Sequence, residues 1–460
     1  MPEPHARSST LAVLRRLKAG LGPLWWYGAL LFAVSRLGDV VNLFTGAFLV
    51  PALVSEADLG AVPPLLKLAG FIATPVGLLI LPAEKYLNVF CGRGEMGKAK
   101  ALLRDAAGVS VVFLAAVAAV FLLHPGPILE RMSIQDPGLL VFAVALGAIG
   151  CIKPLYLSAA RAFGIYSSVV WAGVPGPFVR LAAVWLLARM WPLRGFLMAQ
   201  ALGDAAGLVL VLWAVLGFLR AQPDPPEGYR EYRGEMLRFA GPPVLCSTLV
   251  AAQGFIEAFV IRQRLPAADS AANYFIEMLA MIPFYFGDAI TAFLFPIISS
   301  RYEHGEKTGT VLAQTMGISL LLGLGSTALL FVVSPWLLSL REAWRGALPY
   351  AGLVAVVALG RTFRMTANCF ALHEQACRRF GFLWHFGTLL AVSSAGLYAL
   401  VGWDFFREML PEHLWTAVAA WPRTTLPFIL YWGAAWNAVM LGAVLIHLAV
   451  RARREKRSRK

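Results

Sequence analysis

Twelve stretches of this chain are long and apolar enough to cross a lipid bilayer. The hydrocarbon layer is about 30 Å thick and a helix rises about 1.5 Å per residue, so about 20 apolar residues suffice. The stretches lie near residues 24–51, 59–82, 106–123, 138–158, 168–188, 195–219, 239–261, 273–298, 313–338, 347–371, 382–402 and 426–450. Lipid offers the backbone no hydrogen-bond partner, so such a pattern folds as a bundle of helices. Of the 460 residues 59% are hydrophobic and 14% charged, against about 25% charged in a soluble domain. A soluble chain of this length needs a charged skin that this one cannot make. Disorder, a secreted disulfide scaffold and a soluble enzyme are excluded on the same ground. The expected fold class is an all-α polytopic membrane protein with about 12 transmembrane helices.

The net charge is +14. In a soluble protein that excess would suggest nucleic acid; here its distribution reports topology, and no nucleic-acid partner is expected. With the N-terminus placed in the cytoplasm, segments on that side hold 26 Lys and Arg and the opposite side holds 9. The positive-inside rule then predicts an even number of spans in the cytoplasmic (inner) membrane, with both termini cytoplasmic. Seven of the last ten residues, RARREKRSRK, are basic and follow the last apolar run, as an anchor on anionic membrane lipids does. Near the N-terminus Leu11, Leu14, Leu17 and Leu21 share one helical face and Arg15, Arg16 and Lys18 the other. That reads as an amphipathic helix on the inner leaflet or, equally, as a polar tail. No A-x-A-like site follows the first run, so it is expected to stay as a membrane helix. The five cysteines form no C-x-x-C pair and read as unpaired thiols.

The chain divides into an N-terminal segment (1–23), a first lobe (24–219), a cytoplasmic linker (220–238), a second lobe (239–450) and a basic tail (451–460). The connection after the second span, EKYLNVFCGRGEMGKAKALL, and that after the eighth, SSRYEHGEKTGTVLAQ, share a pattern. Tyr86 precedes Gly94-Glu95, and Tyr302 precedes Gly305-Glu306; a Lys and an apolar run follow each. Six spans, a Pro-rich charged linker and six more is the plan of transporters built from repeats.

Several stretches resemble the polysaccharide-exporting, O-antigen-type flippases of lipid-linked oligosaccharides, in the multidrug/oligosaccharidyl-lipid/polysaccharide superfamily. FLVPALVSEADLGAVPPLLKLAGF (48–71) is similar to their first-to-second-helix turn, and CGRGEMGKAKALL (91–103) to their second cytoplasmic connection. FAGPPVLCSTLVAAQGFIEAFVI (239–261) resembles their seventh helix, with an acidic residue late, at Glu257. ANYFIEMLAMIPFYFGDAITAFLFPIISSRYEHGE (272–306) resembles their eighth. Glu257 departs from the commoner Asp, and the first helix carries one basic residue. The resemblance implies two six-helix lobes around a central cavity, worked by alternating access. Helices one, two, seven and eight would line the cavity. The substrate would be a polyprenyl-pyrophosphate-linked oligosaccharide, and polysaccharide-assembly proteins would be its partners.

Charge inside the bilayer costs about 2.5–3.5 kcal/mol per group on insertion scales, so each case needs a reason. Arg36, Asp39 and Asn42 are spaced three apart on the first span and share a face. Lys67 lies on the second, Gln253 and Glu257 on the seventh, and Glu277 and Asp288 on the eighth. Arg180 lies on the fifth, Asp204 on the sixth as a candidate partner for it, and Arg361 and Arg364 on the tenth. Arg36, Asp39, Asn42, Lys67, Gln253, Glu257 and Asp288 are therefore candidate cavity residues. Glu277, Arg180, Arg361 and Arg364 are further candidates for the cavity or for coupling. Arg36 and Lys67 would attract the pyrophosphate; the carboxylates would bind sugar hydroxyls or carry a coupling ion, Na+ or H+. Alternatively Arg36 and Asp39 neutralise each other, Glu277 is interfacial, and Arg361 and Arg364 flank an earlier helix end.

There is no G-x-x-x-x-G-K-[ST], H-E-x-x-H or G-x-S-x-G, and no resident cofactor, metal or catalytic set is expected. The primary reading is a flippase rather than an enzyme. The alternatives are a cation-coupled small-molecule exporter on the same fold, and a membrane-embedded sugar transferase or polymerase using Asp404, Glu408 and Glu412.

Overall fold

The computed structural model describes residues 23–77, 80–132, 134–222, 227–285, 294, 298, 301–302, 305–377, 379–398 and 425–458. Regular structure among them is helical. In the first half lie α1 (Pro23–Phe44), a π-helical turn (Thr45–Leu49), α2 (Val50–Leu53), α3 (Glu56–Leu59), α4 (Val62–Gly77), α5 (Ile80–Gly92), α6 (Met96–Leu123) and α7 (Gly126–Arg131). Then come α8 (Gly138–Ala162), α9 (Tyr166–Gly173), α10 (Pro175–Leu187) and α11 (Pro192–Ala221). The second half holds α12 (Arg230–Arg264), α13 (Ala267–Leu279), α14 (Gly309–Ser339), a 3-10 helix (Glu342–Tyr350), α15 (Ala351–Ala376), α16 (Gly381–Leu397) and α17 (Leu426–Ser458). Nine helical stretches among the described residues are long and apolar enough to span a membrane, and α16 is a shorter apolar helix. The 35-residue α12 is the seventh expected span, and α13 opens the eighth. The expected segments 1–22 and 403–424, with Asp404, Glu408 and Glu412, lie outside the described residues.

Local chemistry sets the breaks. Ser55 caps α3, its hydroxyl accepting from the Asp58 amide at 3.2 Å, with Glu56 and Asp58 in the first turn facing the positive helix end. Pro175 and Pro192 stand in the first turns of α10 and α11, where a missing N–H costs nothing. Pro154 does not end its helix: α8 runs on to Ala162, which carries Lys153 inside the span rather than into the connection that follows. Most of the expected linker is helical too, since α12 starts at Arg230.

The connection repeat has a backbone cause. Gly94 and Gly305 both hold positive φ, at 75° and 73°. Each sits inside a six-to-one helix cap, Glu95 N to Phe90 O at 2.8 Å and Glu306 N to Arg301 O at 2.9 Å. The same cap recurs at Gly164 (φ 72°), where Ile165 N reaches Ala160 O at 2.8 Å, and at Arg379 N to Glu374 O, 2.7 Å. The even-numbered connections of both lobes thus share one turn.

Packing repeats as well. In the first lobe α1 lies on α9 and α10, α4 and α5 on α8, α6 on α8, and α11 on α8 and α10. In the second, α12 lies on α16, α13 and α14 on α15, and α17 on α15 and α16. Span one meets five, two and three meet four, and six meets four and five; seven to twelve follow the same order. The seam between lobes is α4 against α12, and α3 against α13.

The buried core is continuous at one end only. Where the odd-numbered connections lie, Leu59, Leu65, Met132, Phe275 and Trp344 belong to one cluster that joins both lobes. Arg262 there donates to the carbonyls of Met132 and Ala57, both at 3.2 Å. At the other end each lobe has its own cluster, Leu312, Phe370, Phe382 and Val444 in the second and Tyr86, Phe90, Leu155 and Val215 in the first. The start of α12 reaches across that end, with Lys98 on Glu231 (3.1 Å) and Tyr229 on Asp105 (3.0 Å).

Candidate functional site

The intramembrane charges gather into two groups. The first is built on the first lobe, with one contact to the second. Arg36 pairs with Asp39 at 3.0 Å, one helical turn apart, and also donates to the Tyr285 carbonyl. Arg180 donates to Asn42 Oδ1 at 2.9 Å and pairs with Asp204 at 3.2 Å. Lys153 pairs with the same Asp204 oxygen at 3.3 Å. Small residues make this possible. Gly203 and Gly207 stand four apart on α11, one on either side of Asp204. A Cβ on Gly203 would lie 2.7 Å from Gly176 O and 2.9 Å from Arg180 Cβ; one on Gly207 would lie 2.5 Å from Ala172 O. The α9–α10 rod therefore packs backbone to backbone on α11, and Arg180 and Lys153 converge on one carboxylate.

The second group sits on the seam. Lys67 from α4 reaches Glu277 of α13 at 3.7 Å. Arg361 of α15 forms an ion pair with the same Glu277 oxygen and donates to the Glu277 carbonyl at 2.8 Å. Glu257 of α12 lies in the field of Glu277, Lys67, Arg361 and Arg364. Its carboxylate has no hydrogen bond or ion pair among the described residues. It faces the bare backbone of Gly433, where an added Cβ would stand 3.2 Å from the carboxylate oxygen. The Tyr285 hydroxyl lies in the field of Asp39, Arg361, Arg180 and Arg36, which places it between the two groups.

The other candidates go elsewhere. Gln253 is buried against α16, donating to Ser393 Oγ at 3.0 Å. Arg364 donates to the Val250 carbonyl at 3.0 Å. Glu277 is internal rather than interfacial, and Arg361 and Arg364 stand well inside α15 rather than flanking its end. Asp288 lies outside the described residues. Sequence reasoning missed Lys153, whose neighbour Pro154 read as a helix end, and Tyr285, whose aromatic ring gave no charge signal. Glu84 was also missed: it holds Arg161 at 3.1 Å and Ser158 at 3.0 Å inside the first lobe.

Among the described residues no group of His, Cys, Asp and Glu is placed to hold a metal ion. What the seam can do is exchange partners: Lys67 comes from one lobe, and Glu277, Arg361 and Glu257 come from the other.

No family model matches the chain, and no curated protein matches it. Solved structures do. An inward-facing multidrug resistance MATE family transporter of the MOP superfamily covers 92% of this chain and 99% of its own, at TM-score 0.66 and 13% identity. An outward-facing structure, described in the same words, covers 93% and 95% at TM-score 0.64 and 15% identity. A MOP superfamily transporter from Pyrococcus furiosus, described as having a binding pocket of reverse polarity that suggests a different function, covers 92% and 96% at TM-score 0.64 and 14% identity. Their superfamily is the one the sequence resemblance implied, but two are described as multidrug transporters and none as a polysaccharide flippase. This chain has the all-helical fold of the MATE transporters of the MOP superfamily.

Proposed function

We propose that the protein is a cation-coupled secondary transporter that exports small organic molecules by alternating access across the seam. The observation that carries this is Glu257, a carboxylate with no partner among the described residues and with four charged neighbours from both lobes. Binding a proton or Na+ there changes the charge balance of Lys67, Glu277 and Arg361, which the lobes must separate to move. The core that joins the lobes at one end and divides at the other supports such rocking. The test is dye export from proteoliposomes under an imposed H+ or Na+ gradient. Wild type accumulates or expels dye only with the gradient. Glu257→Gln loses gradient dependence while its melting temperature holds. Equal gradient dependence in both would sink this reading.

A second reading, translocation of a lipid-linked oligosaccharide by its pyrophosphate for cell-surface polysaccharide assembly, is favoured by the balance of charge. Arg36, Lys67, Lys153, Arg180, Arg361 and Arg364 face Asp39, Asp204, Glu257 and Glu277, a cationic excess among the described residues. It predicts flipping of a labelled polyprenyl-pyrophosphate sugar in the same liposomes, lost in Lys67→Ala and kept in Glu257→Gln. Label that stays inward-facing with wild type excludes it.

A further inference from the structure

We propose that a groove between α16 and α17, on the flank of the second lobe, binds the phosphate headgroup of an anionic membrane lipid. A cavity of about 540 Å³ opens there, lined by Glu374, Arg379, Phe382, His385, His447 and Arg451. It lies at the ends of α15 and α17, where the apolar runs stop, so its depth is that of lipid headgroups.

The charge of the groove is cationic once its internal pairs are taken out. Among the described residues Glu374 is the one acid in the lining, and it is 3% exposed. Its carboxylate is held by Arg451 at 3.1 Å and by His373 Nδ1 at 3.0 Å. Arg379 is exposed and makes no ion pair among the described residues; its guanidinium stands 6.0 Å from the Tyr302 ring. His385 is exposed beside it. A phosphate in the groove would meet one committed and one uncommitted guanidinium and an imidazole, a donor set suited to an anion with several oxygens.

The apolar surroundings separate a lipid from a free anion. The His447 ring packs edge-on against Phe370 and Phe382, at 5.5 and 5.6 Å, which makes the back wall apolar. On the same two helices Trp384, Leu445, Ile446 and Val450 are exposed at 58%, 54%, 67% and 44%. A headgroup at the arginines would therefore lead its acyl chains onto an apolar surface of the same helices. Basic pockets between membrane helices bind anionic headgroups by this combination. The groove is built from second-lobe residues away from the seam, so it does not rest on the transport reading.

The test is native mass spectrometry of the full-length protein with phosphatidylglycerol, phosphatidylcholine and inorganic phosphate. Wild type should retain phosphatidylglycerol over phosphatidylcholine and keep it in millimolar phosphate. Arg379→Ala should lower the adduct roughly fivefold, Arg379→Lys should not, and the remote Arg104→Ala should leave it unchanged. Arg451→Gln is the second variant if Arg379→Ala fails to fold, and it too should lose adduct. Equal retention of the two lipids, or no loss in either variant, overturns the proposal. Displacement of lipid by inorganic phosphate makes the groove a free-anion site and overturns it as well.

Discussion

Asp204 and Glu257 are both carboxylates placed beside cations inside the bundle, one in each lobe, and their surroundings are opposite. Asp204 is claimed twice over, by Arg180 and by Lys153, both from its own lobe. The Asp204, Arg180 and Lys153 cluster can ride through a rigid-body motion of the lobe intact. Glu257 has cations in its field but none in contact among the described residues, and one of them, Lys67, belongs to the opposite lobe. Burying an ion pair gains little unless its geometry is satisfied, whereas leaving one charge over is costly. The first group therefore reads as a settled pair network, and the second as a balance that changes when the lobes move or an ion binds.

The largest expected effect comes from breaking the seam balance outright. Glu277→Gln leaves Arg361 and Lys67 facing each other without their shared carboxylate. It should cost about 3 kcal/mol, read by chemical unfolding in detergent. A loss no greater than that of a surface substitution would mean the seam is as solvated as water. Next is the close approach that builds the first-lobe group. Gly203→Ala should cost about 2 kcal/mol, because its new methyl meets the Gly176 carbonyl and has nowhere to go. Its ion dependence of transport should stay that of wild type. Gly433→Ala makes the reverse prediction. The new methyl presses on the Glu257 carboxylate, which can turn away, so stability should change by less than about 1 kcal/mol while the ion dependence of export shifts. If Gly203→Ala altered coupling and Gly433→Ala did not, the contrast between the lobes would be inverted.

The smallest effect lies outside the membrane. Arg194 donates to Asp136 (one bond at 2.6 Å), and this holds the Asp136 carboxyl below the usual carboxylate range. Its folded value lies below its unfolded one. The stability it gives is therefore complete above about pH 4 and fades as pH falls through the lower, folded value. A melting-temperature profile should show a shallow acid-side drop that Asp136→Asn removes.

Most of the bundle was written in the hydropathy of the chain, since a span of about 20 apolar residues has few other uses. The two-lobe plan was legible through Gly94 and Gly305, because only a positive φ demanded glycine there. Its other two copies were not: Gly164 lacks the Glu and Lys that follow Gly94 and Gly305, and the segment before Arg379 holds no glycine. The intramembrane charges were legible for the same reason as the spans, being rare where charge is expensive. Their partners were not. Lys67, Glu277 and Arg361 come from three helices, and no spacing along the chain records that α4 and α15 both reach α13. Gln253 shows the converse: four residues from Glu257, it turns away to Ser393. The Lys153 error came from reading a proline as a stop, whereas inside a bundle neighbouring helices carry the helix past it.

The π-helical turn at Thr45–Leu49 acts as a phase shifter. Its wider winding takes up an extra residue, and one residue corresponds to about 100° of helical rotation. The stretch bearing Arg36 and Asp39 and the stretch that meets the second lobe are thus out of step with each other. Tyr274 of α13 donates to the Gly46 carbonyl within that turn, at 3.0 Å, so the second lobe holds the offset in place. Letting go of that carbonyl would free the turn to relax to ordinary winding and re-aim Arg36 by a quarter-circle or so. The winding of the first helix is thus tied to a contact from the opposite lobe.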